Sequence, residues 1–239
     1  MKKIIPMAFG KMSCYQQKSC GKQEKLWITL WTMWTTVDKG VFCVKNLKEI
    51  HENLLKTAEN TPYEGKKIVF GEGKEQPALM MIGEAPGGEE EQQGRPFVGK
   101  AGKNLSAFLE VVGLKREEIY ISNVVKIRPT KNSPKTGKPV NRSPSAEEIV
   151  FFLPFLQEEI EAADPKVIVT LGNVPLKAVT GEKKAVIGDY HGNPCPLADG
   201  RTLFALYHPA AVIYNRALQE VYDADLIKLR VFLEIKKLV

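Results

Sequence analysis

The chain has 239 residues, of which 44% are hydrophobic, and a formal net charge of +6 at pH 7. This length suits one domain of ordinary size with an extension, or at most two small domains, and the apolar content is sufficient for a core. Its apolar runs are shorter than the roughly 18 residues that a membrane span needs, so we expect a cytoplasmic protein without a membrane partner.

Residues 1–45 carry the charge excess and differ from the rest. They hold eight lysines against two acidic residues, and all three tryptophans (Trp27, Trp31 and Trp34) at helical spacing. A docking helix, a membrane-surface helix and a non-native upstream extension all remain open. We expect a poorly ordered basic extension here and a folded domain over residues 46–239, whose charges balance. A nucleic-acid partner would therefore need a local basic patch.

The four cysteines (Cys14, Cys20, Cys43 and Cys195) form neither a CxxC pair nor a compact disulfide framework. We interpret them as free thiols in a reducing compartment.

Helices and strands alternate along residues 46–239. Apolar runs predict strands near 78–82, 119–125, 167–171 and 202–207. Helical spacing predicts helices near 47–59, 105–112, 143–161, 173–179 and 218–238. The alternation predicts a three-layer α/β/α sandwich around a central, mostly parallel four-stranded sheet.

A glycine-rich loop follows the first predicted strand. Residues 83–102 read GEAPGGEEEQQGRPFVGKAG and hold six glycines, two prolines and four glutamates. Glycine allows a backbone to approach a ligand closely, although an ordinary surface turn is an equal alternative. The spacing matches neither of the two standard nucleotide-binding loops.

A basic stretch follows the second predicted strand, without an acidic residue between positions 126 and 142. We predict an exposed loop that could contact a nucleic-acid backbone, with an inert solvated loop as the alternative. Its basic residues are Lys126, Arg128, Lys131, Lys135, Lys138 and Arg142.

Three side chains are predicted to meet beyond the carboxyl ends of the strands, where open parallel sheets bind ligands. The Asn123 amide offers a donor and an acceptor that match O4 and N3 of a pyrimidine. Phe97 can stack on the base, and His208 can hydrogen-bond O2, where charge collects if the base leaves as an anion. Taken singly, Asn123 could be a turn residue and His208 a structural histidine.

Four segments in this order resemble the family 4 uracil-DNA glycosylases: the 83–102 loop, YISNVVKIRP, NRSP and YHPAAV, with VFGEG at 69–73. The resemblance runs from about residue 67 to 213. It implies an α/β sandwich that flips uracil out of single- or double-stranded DNA, hydrolyses the N-glycosidic bond and leaves an abasic site. We expect the enzyme to act as a monomer.

The resemblance also implies roles for individual residues. The substrate-binding residues are Gly83, Ala85, Gly87, Phe97 and Asn123. The catalytic candidates are Glu84, Glu90, Asn141 and His208. Glu84 or Glu90 would favour the sugar cation, and Asn141 or one of these carboxylates would position the water. His208 would face O2, whereas Glu89 and Glu91 are interpreted as solvated charges.

Val212 and Ile213, which follow His208, would form an apolar wedge that fills the gap left by the flipped base. The alternative is that they begin a buried helix.

Most relatives in the family hold a 4Fe–4S cluster on four cysteines. Here the corresponding positions are Ile127, Phe151 and the cysteine-free segment 57–60. We predict that the cluster is absent, that no cofactor replaces it, and that Ile127 and Phe151 pack as core.

Two other functions stay open. One is a non-catalytic nucleic-acid-binding module of the same fold, and the other is a glycosylase for another deaminated base such as hypoxanthine.

Overall fold

The computed structural model describes residues 46–238, with Ile213 and Tyr214 described by their backbone alone. The predicted basic extension over residues 1–45 lies outside the described residues, and three of the four cysteines lie there with it.

Eight strands occur within residues 46–238. They are β1 (Glu72–Gly73), β2 (Leu79–Gly83), β3 (Tyr120–Asn123), β4 (Thr130–Asn132), β5 (Pro139–Asn141), β6 (Val167–Leu171), β7 (Pro194–Pro196) and β8 (Thr202–Leu206). Six of them form one sheet in the order β1-β3-β2-β6-β8-β7, and β4 pairs with β5 separately.

The four central strands β3, β2, β6 and β8 are parallel, as predicted. Short antiparallel strands, β1 and β7, close the two edges and make the sheet mixed. These edge strands have two and three residues, too few for an alternating pattern to be visible in the sequence.

Helices cover both faces of the sheet. Along the described chain they are α1 (Leu47–Ala58), α2 (Gly88–Gln93), α3 (Lys100–Val112), α4 (Ala146–Ala163), α5 (Asn173–Thr180), α6 (Ile187–Tyr190), α7 (Pro209–Tyr214) and α8 (Gln219–Ile235). Helix α3 packs with α8, and α1 packs with α4. None of these helices combines the length and apolarity needed to cross a membrane.

Alternate residues of the central strands supply two apolar cores. Leu79 and Met81 of β2 pack with α3 and α8, whereas Met80 and Ile82 pack with α1 and α4. Burial on both faces explains why these strands are continuous apolar runs. The predicted three-layer α/β/α fold class is confirmed.

Helix α4 begins with the predicted capping box. Ser145 Oγ accepts from the Glu148 backbone N–H at 3.3 Å, and Glu148 Oε2 accepts from the Ser145 N–H at 2.7 Å. The reciprocal bonds satisfy donors that a helix start leaves open.

The basic stretch forms a β-hairpin and not an irregular loop. Strands β4 and β5 pair from Thr130 opposite Asn141 to Asn132 opposite Pro139, and the Arg142 N–H donates to the Pro129 carbonyl at 3.1 Å. The hairpin is therefore anchored at Asn141, one of the predicted catalytic residues.

Candidate active site

Gly83 and Asn123 are register partners at the carboxyl ends of the neighbouring parallel strands β2 and β3. Asn123 is 3% exposed. The predicted base-reading amide therefore lies inside the protein at the sheet edge where ligands bind in this architecture.

Gly83 brings Asn123 and Phe97 together. A Cβ at Gly83 would lie 2.4 Å from Asn123 Oδ1 and 2.5 Å from Phe97 Cζ, closer than real side chains approach. Only glycine leaves room for both groups, so the predicted stacking and base-reading residues share one small site.

Phe97 has a left-handed backbone with φ of +51°. For a residue with a Cβ this conformation costs about 1–2 kcal/mol, so neighbouring groups must hold it. Its ring is buried, and the ring centroid lies 6.3 Å from that of His208 with 30° between the ring planes.

His208 follows β8 and caps the start of α7. Its Nδ1 accepts a hydrogen bond from the Ala210 backbone N–H at 3.1 Å. Burial lowers the pKa of His208, and this effect outweighs the nearby charge of Glu90, which raises it. The imidazole is therefore neutral at neutral pH, and because Nδ1 is an acceptor its proton resides on Nε2.

Glu90 is buried and organises the glycine-rich loop. Its Oε1 accepts from the N–H groups of Gly99 at 2.8 Å and Val98 at 3.2 Å, and its Oε2 accepts from the Gly87 N–H at 3.1 Å. Three donors fix the carboxylate. The Gly87 N–H is consequently engaged within the loop.

Glu84 and Asn141 are the two remaining catalytic candidates. Glu84 is half-buried, and burial raises its pKa although a hydrogen bond with the Ser143 side chain lowers it. Asn141 Nδ2 lies 3.5 Å from where a Cβ at Gly87 would be, and its Oδ1 accepts from Arg128 Nε at 2.7 Å. Ala85 packs against the α1–α4 core.

Lys126 does not lie on the surface, and the prediction that it contacts DNA is wrong. Its side chain is fully buried, and its Nζ donates to Ser122 Oγ at 2.6 Å and to Glu159 Oε2 at 2.5 Å. Burial alone would raise the pKa of Glu159, but the Lys126 charge and the hydrogen bonds outweigh it and lower that pKa. Lys126 and Glu159 therefore form an ion pair inside the protein, in contact with Ser122 of β3.

The two arginines of the basic stretch form ion pairs with nearby glutamates. Arg128 pairs with Glu91 at 3.1 Å, so Glu91 is not the free solvated charge that we predicted. Arg142 binds both carboxylate oxygens of Glu148 at 2.7 Å.

The three lysines of the hairpin are exposed. Lys131, Lys135 and Lys138 are thus the members of the predicted basic patch that face solvent.

Val212 is 6% exposed and belongs to the core that contains α3 and α8. The prediction of an apolar wedge is wrong for Val212, because its side chain packs in this core as part of helix α7. The side chain of Ile213 lies outside the described part of the protein.

The positions where the resemblance expects cluster ligands do not fit a cluster. Ile127 is buried in the α1–α4 core, and the ring centroid of Phe151 lies 4.3 Å from that of Tyr63 and 4.9 Å from that of Phe152. Neither side chain offers a thiolate. Within residues 46–238, histidine, cysteine and acidic residues form no group of three or more that could hold a metal ion.

Comparison with known proteins agrees with this architecture. The model of the "Uracil DNA glycosylase superfamily" matches residues 70–230. The chain belongs to the uracil-DNA glycosylase superfamily.

Its relatives include several type-4 uracil-DNA glycosylases. The chain is 37% identical to that of Thermotoga maritima over 169 residues, which cover 70% of this chain and 83% of the relative. It is 36% identical to that of Pyrobaculum aerophilum over 192 residues, covering 76% and 91%, and 38% identical to that of Sulfurisphaera tokodaii over 169 residues, covering 68% and 73%. The chain is thus a type-4 member of the superfamily.

Sequence reasoning missed two charged residues next to the site in this glycosylase fold. Glu72 and Arg116 form an ion pair at 2.6 Å, and Arg116 also reaches the backbone at Phe97. Glu72 could have been identified from the sequence, because it lies in the VFGEG phrase at 69–73. Its partner 44 residues later could not be identified without the fold.

Proposed function

We propose that this chain is a uracil-DNA glycosylase that extracts uracil from DNA, hydrolyses its N-glycosidic bond and leaves an abasic site. Its membership of the superfamily and its similarity to type-4 uracil-DNA glycosylases support this function. The same fold could also support a non-catalytic binding module, and the side chains gathered around Gly83 favour the enzyme.

The observation that carries the proposal is that Asn123 and Phe97 meet at Gly83 and that the His208 ring lies beside the Phe97 ring, with 6.3 Å between their centroids. Asn123 supplies an amide for the O4 and N3 edge, Phe97 supplies a ring for the base face, and neutral His208 supplies an Nε2 donor for O2. A flipped base in such a pocket would be read by its edge and its face at once.

Cleavage of the C1′–N1 bond leaves positive charge on the sugar and negative charge on the base. A neutral imidazole donor stabilises the uracil anion at O2 without giving up a proton to it. Half-buried Glu84 and the flanking phosphates favour the sugar cation. Glu90 contributes through the loop that it fixes.

Water then attacks C1′ and loses its proton to the departed uracil anion or to solvent, and we assign the positioning of this water to Asn141. The Arg128 hydrogen bond engages Asn141 Oδ1, and Nδ2 lies toward Gly87 in the same loop. Because deoxyribosyl cleavage can proceed without a strong general base, an amide is sufficient for this role.

DNA is the partner, and we propose that Lys131, Lys135 and Lys138 contact its backbone. They stand on a hairpin that begins at Thr130 and ends at Asn141, whose side chain lies near Gly87 of the glycine-rich loop. We further propose that residues 46–239 act as one catalytic unit, as a monomer, in the cytoplasm, with residues 1–45 as an accessory basic extension.

The enzyme is proposed to work without an iron–sulfur cluster. The apolar and aromatic packing of Ile127 and Phe151 supports this. Anaerobically purified full-length protein should lack iron in elemental analysis and lack iron–sulfur charge-transfer absorbance. Stoichiometric iron would contradict the proposal.

The proposed activity is tested with oligonucleotides that carry one uracil, hypoxanthine or thymine, followed by alkali to break the strand at abasic sites. We expect breaks with uracil alone, and their loss in a folded His208→Ala variant. Breaks with hypoxanthine alone would assign another base, and breaks with none of the three would favour a binding module.

A further inference from the structure

Phe97 is held by a charged clamp that starts on the edge strand β1. Arg116 Nη1 donates to the Phe97 carbonyl at 3.1 Å, and Arg116 Nη2 donates to the Pro96 carbonyl. The same guanidinium binds Glu72 Oε1 through Nη2 at 2.6 Å and through Nε at 3.1 Å. One side chain thus fixes two consecutive peptide carbonyls at the residue with the left-handed backbone.

Glu72 in turn is fixed by two arginines. Arg95 donates to it through Nε at 2.8 Å and Nη2 at 3.1 Å, in addition to the bonds from Arg116. Burial alone would raise the pKa of Glu72, but hydrogen bonds from Arg95 and Arg116 outweigh it and lower that pKa. Glu72 is therefore ionised at neutral pH and can orient Arg116.

Helix α3 closes the backbone of Phe97 from the other side. A Cβ at Gly102 would lie 2.0 Å from the Phe97 carbonyl oxygen, so this carbonyl packs directly on the helix backbone. Arg116 donates a hydrogen bond to this carbonyl, and Gly102 packs against it. These contacts supply the constraint that a left-handed phenylalanine requires.

We infer that Arg116 is a positioning residue, which holds the Phe97 ring over the base pocket through the Pro96 and Phe97 carbonyls. The inference rests on the proposed function, in which Phe97 stacks on uracil. Glu72 keeps the guanidinium in place, and Arg95 shares the same carboxylate without bonding the two loop carbonyls. Without Arg95, Arg116 keeps both of its own bonds to Glu72 Oε1, so Arg95 provides a matched control with the same charge and the same acidic partner.

Single-turnover excision of uracil is the first test. Because a displacement of about 1 Å costs roughly 100-fold in rate, Arg116→Gln should slow excision about 10- to 100-fold while Arg95→Gln changes it less than about twofold. Affinity for a uracil-free oligonucleotide should stay unchanged in both variants. Arg116→Lys should not restore the rate, because an ammonium lacks the planar fork that serves two carbonyls and a carboxylate.

A double-mutant cycle separates positioning from general destabilisation. In a Phe97→Ala background there is no ring to position, so Arg116→Gln should add less than about twofold. If Arg116→Gln slows excision equally in both backgrounds, the inference is overturned.

The last measurement does not need activity. A single 4-fluorophenylalanine at position 97 should give one sharp ¹⁹F resonance in the otherwise wild-type protein and in Arg95→Gln, and a shifted or split resonance in Arg116→Gln. An unchanged resonance in Arg116→Gln overturns the clamp even if the wild type excises uracil. A wild type that releases no uracil while the resonance responds overturns the proposed function and leaves the clamp supported.

Discussion

At Gly83, the addition of a single methyl group would clash with two side chains of the site. Gly83→Ala would place a methyl group 2.5 Å from Phe97 Cζ and 2.4 Å from Asn123 Oδ1, so one of them must leave the pocket. We expect uracil excision to fall by at least about 100-fold, because at least one of the two proposed base-binding groups is displaced.

The matched control for this substitution is Gly188→Ala. Gly188 lies in α6, and a Cβ there would meet nothing within 4 Å. Its excision rate should match the wild type. If Gly83→Ala retained full activity, Phe97 and Asn123 would not both contact the base.

His208 gives the pocket a defined pH dependence. Because burial lowers its pKa below the ordinary 6.5, the folded protein keeps the neutral imidazole down to pH values at which an exposed histidine is already protonated. The single-turnover excision rate, measured from about pH 5.5 to 8.5, should therefore show no loss from His208 protonation until below pH 6.5.

The lowered pKa of His208 also makes the free energy of unfolding depend on pH. On acidification the unfolded chain binds the proton first, so the free energy of unfolding falls as the pH drops through 6.5 toward the lowered folded pKa.

A loss of excision centred above pH 6.5 that disappears in His208→Asn would contradict a neutral, buried His208.

The β4–β5 hairpin is the element whose role depends on charge. Replacing Lys131, Lys135 and Lys138 by Gln should reduce the slope of log affinity against log salt by about 2 to 3, because each phosphate contact contributes about 0.9 on duplex DNA. The measurement is binding to duplex DNA between about 50 and 200 mM salt.

The control replaces Lys74, Lys115 and Lys166, three exposed lysines at the end of the sheet where the parallel strands begin, whereas the hairpin follows the carboxyl end of β3. It removes equal charge and should change the slope much less. Equal slopes for the two triple variants would show that the hairpin makes no specific backbone contact.

Single strong patterns predicted whole elements, whereas contacts between distant segments were not predictable. The continuous apolar runs located β2 and β6, and the Ser145–Glu148 box located the start of α4. By contrast, Lys126 lies in a basic run whose composition predicts exposure, and only its meeting with Glu159 on α4 explains its burial. The clamp of Arg116 on Phe97 was invisible for the same reason.

At the scale of the whole molecule, the Lys126–Glu159 pair joins β3 to α4. Lys126→Met should cost about 3–5 kcal/mol in the free energy of unfolding, because it leaves Glu159 buried without its counterion. Lys126→Met combined with Glu159→Leu should cost less than Lys126→Met alone, since no unpaired charge remains. Urea unfolding measures both, and a larger loss in the double variant than in Lys126→Met would contradict an ion pair between Lys126 and Glu159 inside the protein.

At the scale of the whole protein, the Gly83 site is proposed to bind uracil, and the Asn123 amide is proposed to recognise the base. The most direct measurement is mass-spectrometric detection of free uracil released from a uracil-containing duplex, by the wild type and by Asn123→Asp. The isosteric carboxylate keeps the shape but lacks the N–H that bonds O4. We predict release by the wild type and a loss of at least about 100-fold in a folded Asn123→Asp. No release by the wild type, or equal release by both, would contradict the account.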